Sequence, residues 1–127
     1  MRLNHLDLHV PDVAAAAEFF ILYLGLRHID ARANGGLAIL SDGHGLELVL
    51  SHAIEKFGST DQSSGLVSYH LGFIVETRAE VDAVYDAMRS GGLALQYEPR
   101  EMRGGYLFYC HAPGHILVEV GARELLA

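Results

Sequence analysis

Four side chains in this sequence could hold a divalent metal ion and move protons beside it. His5 and His70 lie in two stretches of matching pattern, N-H-L-D-L-H-V (residues 4–10) and S-Y-H-L-G-F-I-V (residues 68–75). In both, apolar residues alternate along one face and a histidine holds the other. Glu47 and Glu119 sit in two further apolar stretches, L-E-L-V-L and I-L-V-E-V, each shortly after a Gly-His pair. The offsets between the copies are 65 for the histidines (70 − 5), 71 for the Gly-His pairs (114 − 43) and 72 for the glutamates (119 − 47). Neutral imidazole nitrogens and carboxylate oxygens, with no thiolate among them, suit zinc, nickel, iron(II), manganese or cobalt. Four protein ligands leave an octahedral ion two positions for adjacent oxygens of a substrate. A carboxylate beside such an ion can exchange between ligation and proton transfer, so Glu119 and Glu47 are the acid/base candidates.

Each of these residues also has a plainer reading. His70, between apolar neighbours, could be a core histidine bonded to a carbonyl, and Glu47 could be a solvent-facing residue of an edge strand. An unpaired carboxylate in a sheet cup is costly, which favours a ligand role for Glu119. Asp7 and His9 share the face of His5; they are either pocket groups or the wet side of a sheet. Tyr106 could donate to a substrate oxygen or simply pack. Arg100 and Arg103 fall in E-P-R-E-M-R-G-G, read as a loop that either closes over an anionic substrate or is solvated. Cys110 reads as a small buried filler. His28, His44, His52, His111 and His115 read as surface or turn residues.

The elements that must position the four residues repeat as well. Leu3 to Val10 is a strand ended by Pro11. Asp12 caps a helix over Val13 to Leu24, with Ala16, Phe19, Phe20, Tyr23 and Leu24 facing the sheet and Gly25 stopping it. Three strands follow, at Leu26 to Ala31, Leu37 to Ser41 and Leu46 to Ser51, with Asn34-Gly35-Gly36 as a turn signal. Residues 52–66 read as a polar linker, with one possible helical turn from His52 to Phe57. The second half opens with Ser68 to Val75. The capping box Thr77/Glu80 then starts a helix whose apolar face is Val81, Val84, Tyr85 and Met88, stopped at Ser90-Gly91-Gly92. Strands are expected at Leu93 to Tyr97, Gly105 to His111 and His115 to Val120. The fold class is α+β: one domain over 1–127, made of two β-α-β-β-β modules at 1–51 and 67–127.

Composition narrows the partners. Nine Lys+Arg stand against sixteen Asp+Glu in 127 residues, with no basic stripe, so nucleic acid is not an expected partner. A single cysteine excludes an intrachain disulfide. No stretch reads as a signal peptide or a membrane span, and a reducing cytoplasm is the default expectation.

The segments R-L-N-H-L-D-L-H-V, G-L-E-L-V-L, Y-H-L-G-F-I-V and A-P-G-H-I-L-V-E-V resemble the vicinal oxygen chelate superfamily over essentially the whole chain. That superfamily holds glyoxalase I, extradiol dioxygenases, fosfomycin-resistance enzymes, epimerases and bleomycin-binding proteins. The resemblance implies paired modules cupped around a divalent metal, a small-molecule substrate and a homodimer. It implies the ligand set His5, Glu47, His70 and Glu119, with one glutamate leaving the metal to act as base. Two positions depart from bacterial glyoxalase I: His9 stands for an arginine and Ser51 for an asparagine, both of which help hold glutathione there. A glutathione-linked substrate is correspondingly weakened. The leading expectation is a glyoxalase-like lyase or isomerase. The alternatives are an extradiol-type iron(II) dioxygenase using His5, His70 and Glu119, and a metal-free binding or sequestering protein.

Overall fold

The computed structural model describes residues 1–32, 35–52 and 69–123 and divides into two compact units. The first comprises Met1–Leu66 together with the turn Ala112–His115; the second comprises Val67–His111 and Ile116–Ala127. The linker expected at 52–66 lies outside the described residues except for His52, as do Asn34 of the turn signal and Ser68 of the second module's first strand.

In the first unit, β1 (His5–His9), α1 (Val13–Leu24), β2 (Arg27–Ala31), β3 (Leu37–Ser41) and β4 (Glu47–Ser51) form a four-stranded sheet in the order β1-β4-β3-β2. The first and last strands run parallel; the other neighbours are antiparallel. Asp12 accepts from the Ala15 amide at 2.9 Å and starts α1. Gly25, at φ 72°, ends it in the left-handed conformation that spares glycine a Cβ clash. Ala16, Phe19 and Phe20 are buried as expected, against a sheet face that buries Leu8, Leu40, Leu48 and Leu50; Tyr23 and Leu24 are half-buried. Burying such side chains is worth roughly 1.5–3 kcal/mol each, which is what holds helix to sheet. Asp42 shapes the turn before β4. Its carboxylate accepts from the amides of His44 (2.7 Å) and Leu46 (3.1 Å), and the His44 bond is the chief reason its pKa falls below the usual carboxylate range.

The second unit repeats the plan. β5 (Leu71–Ile74), α2 (Arg78–Ser90), β6 (Arg100–Met102), β7 (Gly105–Ala112) and β8 (Ile116–Arg123) form a sheet in the order β5-β8-β7-β6, again with first and last strands parallel. Thr77 caps α2, accepting from the Glu80 amide at 3.1 Å while its hydroxyl donates to the Glu80 carboxylate at 3.1 Å. Val81, Tyr85 and Met88 are buried, and Tyr85 meets Phe108 of β7 edge-on at 5.4 Å. Val118 and Val120 of β8 are fully buried beside them.

One expected strand is displaced. Leu93 to Tyr97 is irregular, and β6 forms instead inside the stretch read as a loop. The cause is the turn that follows. Arg103 and Gly104 both have positive φ, 52° and 75°, as a two-residue hairpin turn of type I′ requires. That turn pairs Met102 with Gly105, Glu101 with Tyr106 and Arg100 with Leu107.

The Ala112–His115 turn carries a steric constraint within the first unit. Gly114 has φ 91°, and a Cβ there would stand 2.9 Å from Val10 Cγ1 and 3.4 Å from Pro11 Cδ. Gly92 has a similar φ of 87° with open space around it. Both Gly→Ala variants add backbone strain, but only Gly114→Ala adds a collision. We expect Gly114→Ala to cost about 1–3 kcal/mol more than Gly92→Ala in urea denaturation. Equal losses would contradict this placement of the turn.

Candidate functional site

In each module the parallel strand pair carries the histidine and the glutamate. In the first unit His5 lies directly opposite Glu47, and the amide of Glu47 donates to the Asn4 carbonyl at 2.9 Å. Paired residues of neighbouring strands point to one face. Asp7 and His9 follow on that face, opposite Val49 and Ser51. Ser51 is buried and donates its hydroxyl to Asp7 at 2.6 Å, so Asp7 is tied to its own sheet.

In the second unit the register differs by one pleat. Glu119 is opposite Gly72, two residues beyond His70 (72 − 70), so His70 reaches it diagonally. His70 Nε2 lies 3.6 Å from Glu119 Oε1. Tyr109 donates its hydroxyl to the same oxygen at 2.8 Å, and its ring meets the His70 ring edge-on at 5.5 Å. The other oxygen, Oε2, lies over Gly72, where even a Cβ would be 3.8 Å away. Glu119 is 14% exposed and His70 39%. The hydrogen bond to Glu119, followed by burial and the charge of Glu119, raises the Tyr109 pKa above its usual value; the charge of Arg103 works against the rise.

The turns before the two glutamates share one backbone feature. Four residues before each glutamate, at Gly43 and His115, φ is positive (79° and 62°). The structural match is therefore Gly43 with His115, one residue away from the match that the repeated Gly-His pairs imply.

Beside Glu119 the open face holds a cavity of about 250 Å³ lined in part by Ile74, Arg103, Leu107, Gly121 and Arg123. A neighbouring cavity of about 140 Å³ is lined in part by Tyr97, Arg100, Tyr109 and Leu117. Arg103 is among the residues that line the first of these cavities. Arg100 stacks over the Tyr97 ring at 4.8 Å. Tyr106 does not join the group. It lies on the helix-covered side, donating to Asp82 of α2 at 2.7 Å, with the Arg78 guanidinium 5.0 Å from its ring centre. Alternation along β7 therefore gives the site Tyr109 in place of Tyr106. Tyr109 and Glu119 each lie five residues from Gly114 (114 − 109 and 119 − 114), so a hairpin centred on that glycine was the signal for the pairing. Cys110 is buried, and burial pushes its thiol up to about 12, which leaves it inert. His28, His44, His52, His111 and His115 are exposed. Among the described residues no three of His, Cys, Asp or Glu are grouped to hold a metal ion; the donors come together in pairs, one pair per unit.

A sequence profile described as the Glyoxalase/Bleomycin resistance protein/Dioxygenase superfamily matches residues 2–120. The chain belongs to that superfamily. As a superfamily member it is similar to a structure described as a possible glyoxalase from Bacillus cereus, at 32% identity over 94% of this chain and 97% of that one, with a TM-score of 0.77. The Pseudomonas aeruginosa protein PA2024 is 30% identical over 85% of this chain and 77% of its own length. A lactoylglutathione lyase from Agrobacterium tumefaciens shares the superfamily fold, with a TM-score of 0.75 at 21% identity, covering 95% of this chain and 92% of that one. No helix among the described residues is long and apolar enough to cross a membrane.

The Tyr109–Glu119 bond can be read by titration of the metal-free protein. The phenol absorbance assigned by subtracting Tyr109→Phe should titrate above 10, the usual tyrosine value, and fall back toward it in Glu119→Gln. A raised folded-state pKa favours the protonated phenol. Its stabilising contribution is complete below the unfolded value and is lost as pH rises through the folded one. Titration at or below the usual value would contradict the bond.

Proposed function

We propose that the chain is a metal-dependent, glyoxalase-like lyase or isomerase. It would hold a bidentate oxygen substrate and move a proton with Glu119. The observation that carries this reading is the recurrence of one histidine and one glutamate on the same sheet face in both modules, His5 with Glu47 and His70 with Glu119. The donor set fits a divalent ion: two imidazoles and two carboxylates, none buried against an apolar wall and none replaced by a thiolate. His5, Glu47, His70 and Glu119 are the proposed ligands, and a homodimer is the proposed assembly. When bound, the ion would supply Lewis acidity to two adjacent substrate oxygens.

The chain's own groups account for the proton transfer. Tyr109 and His70 both engage Oε1 of Glu119, so the carboxylate is oriented with Oε2 toward the space over Gly72. Oε2 is the proposed proton acceptor from a carbon next to the substrate carbonyl, and it returns the proton at the neighbouring position. The Tyr109 hydroxyl donates to Oε1, a charge-assisted bond that leaves Oε2 as the oxygen that would hold the ion or take the proton. Leu107 and Ile74 line the cavity beside Glu119 and give it apolar surface on that side.

Metal analysis tests the reading. After removal of any tag, the wild-type protein should carry about one divalent ion per chain, and His70→Ala and Glu119→Ala should each lose it. Nickel or zinc directs the assay to hemithioacetal and epimerase-type substrates; iron(II) directs it to catechols. A protein that takes up none of the candidate ions on reconstitution would contradict the proposal and leave a binding protein.

A further inference from the structure

Arg103 and Arg123 line one cavity, and Arg123 packs against Gly105. Arg103 is the first residue of the type I′ turn, at φ 52°. Asn or Gly is the usual residue there, because a long side chain at positive φ is strained. An arginine weakens the hairpin, and strain of this kind marks side chains with another task. Arg123 reaches Gly105 from the end of β8: a Cβ added to Gly105 would stand 3.7 Å from Arg123 Cγ. Both arginines line the cavity of about 250 Å³ that Glu119 also lines. Among the described residues neither guanidinium has an ion-pair or hydrogen-bond partner. Arg78, by contrast, is paired to Glu101 at 2.8 Å, and Arg100 lies over Tyr97. Two arginines with no such partner among the described residues line one small cavity beside Glu119, in a chain with sixteen acidic and nine basic residues, and a guanidinium pair can receive an oxyanion.

We propose that Arg103 and Arg123 bind the carboxylate of a small acid substrate, a 2-hydroxy or 2-oxo acid whose 2-oxygen faces Glu119. This names the substrate class of the proposed enzyme and rests on that reading. A cavity of about 250 Å³ falls below the range of about 300–1,000 Å³ typical for drug-sized ligands. A short-chain acid fits that volume. A carboxylate clamped by two guanidiniums fixes the distance from the anion to the reacting carbon, which is what a positioning subsite contributes to proton transfer.

The test uses the full chain in metal-free form, so that its result is independent of metal binding. Lactate, lactamide and inorganic phosphate are titrated against labelled protein, following the amides of Gly104 and Gly105. Lactate should bind with a Kd on the order of 1 mM, and neutral lactamide at least about tenfold more weakly. Arg103→Asn installs the residue the turn prefers, so its Tm should hold or rise while its lactate affinity falls about tenfold or more. Arg123→Gln should lose affinity to the same degree, and the Lys variants should keep part of it. Lactate that fails to saturate, or that binds like lactamide, overturns the subsite, and so does unchanged lactate affinity in both arginine variants. Phosphate binding more than about tenfold tighter than lactate assigns the cations to a phosphoryl group and overturns the carboxylate.

Discussion

Parallel pairing of the first and last strands in each module is the constraint on which everything else depends. Parallel neighbours cannot be joined by a tight turn, so each module must place a helix and a hairpin between them. The helix covers one sheet face and supplies the apolar contacts; the other face stays open to carry polar groups. In the first module that pairing brings His5 opposite Glu47, residues 42 apart in sequence (47 − 5). In the second it brings Glu119 opposite Gly72, with His70 on the diagonal. The missing side chain at Gly72 leaves the Glu119 carboxylate room that an ordinary residue would narrow.

The second module is the chemically elaborated copy. Its glutamate has a hydroxyl donor in Tyr109, an imidazole neighbour in His70 and a cavity with two arginines. The first module's polar face is quieter: Asp7 is occupied by Ser51, and His5 lies beside the Asn4 side chain at 3.2 Å. Both copies offer the same pair of donor types, and in the second a tyrosine hydroxyl also orients the carboxylate.

Much of this was legible in the residues. Caps and breakers marked α1 to the residue, because Asp12 and Gly25 act locally. The module repeat was visible because strand alternation and helix spacing survive divergence of side-chain identity. Three features were not legible, each for a reason of backbone geometry. β6 follows from the positive φ of Arg103, a conformation that composition does not announce. The repeated Gly-His pairs suggested a match one residue off, because His115 takes the left-handed conformation that Gly43 takes in the first copy. Tyr106 and Tyr109 lie on opposite faces of β7, and which face is open depends on where α2 packs, a tertiary fact.

X-ray absorption of the cobalt(II)-reconstituted protein, beside His5→Ala and His70→Ala, tests the proposed ligand set of His5, Glu47, His70 and Glu119. The expected shell is imidazole nitrogen and oxygen without sulfur, with two imidazoles in the wild type and one fewer in each variant. A sulfur ligand, or a two-imidazole shell that survives either substitution, would contradict it.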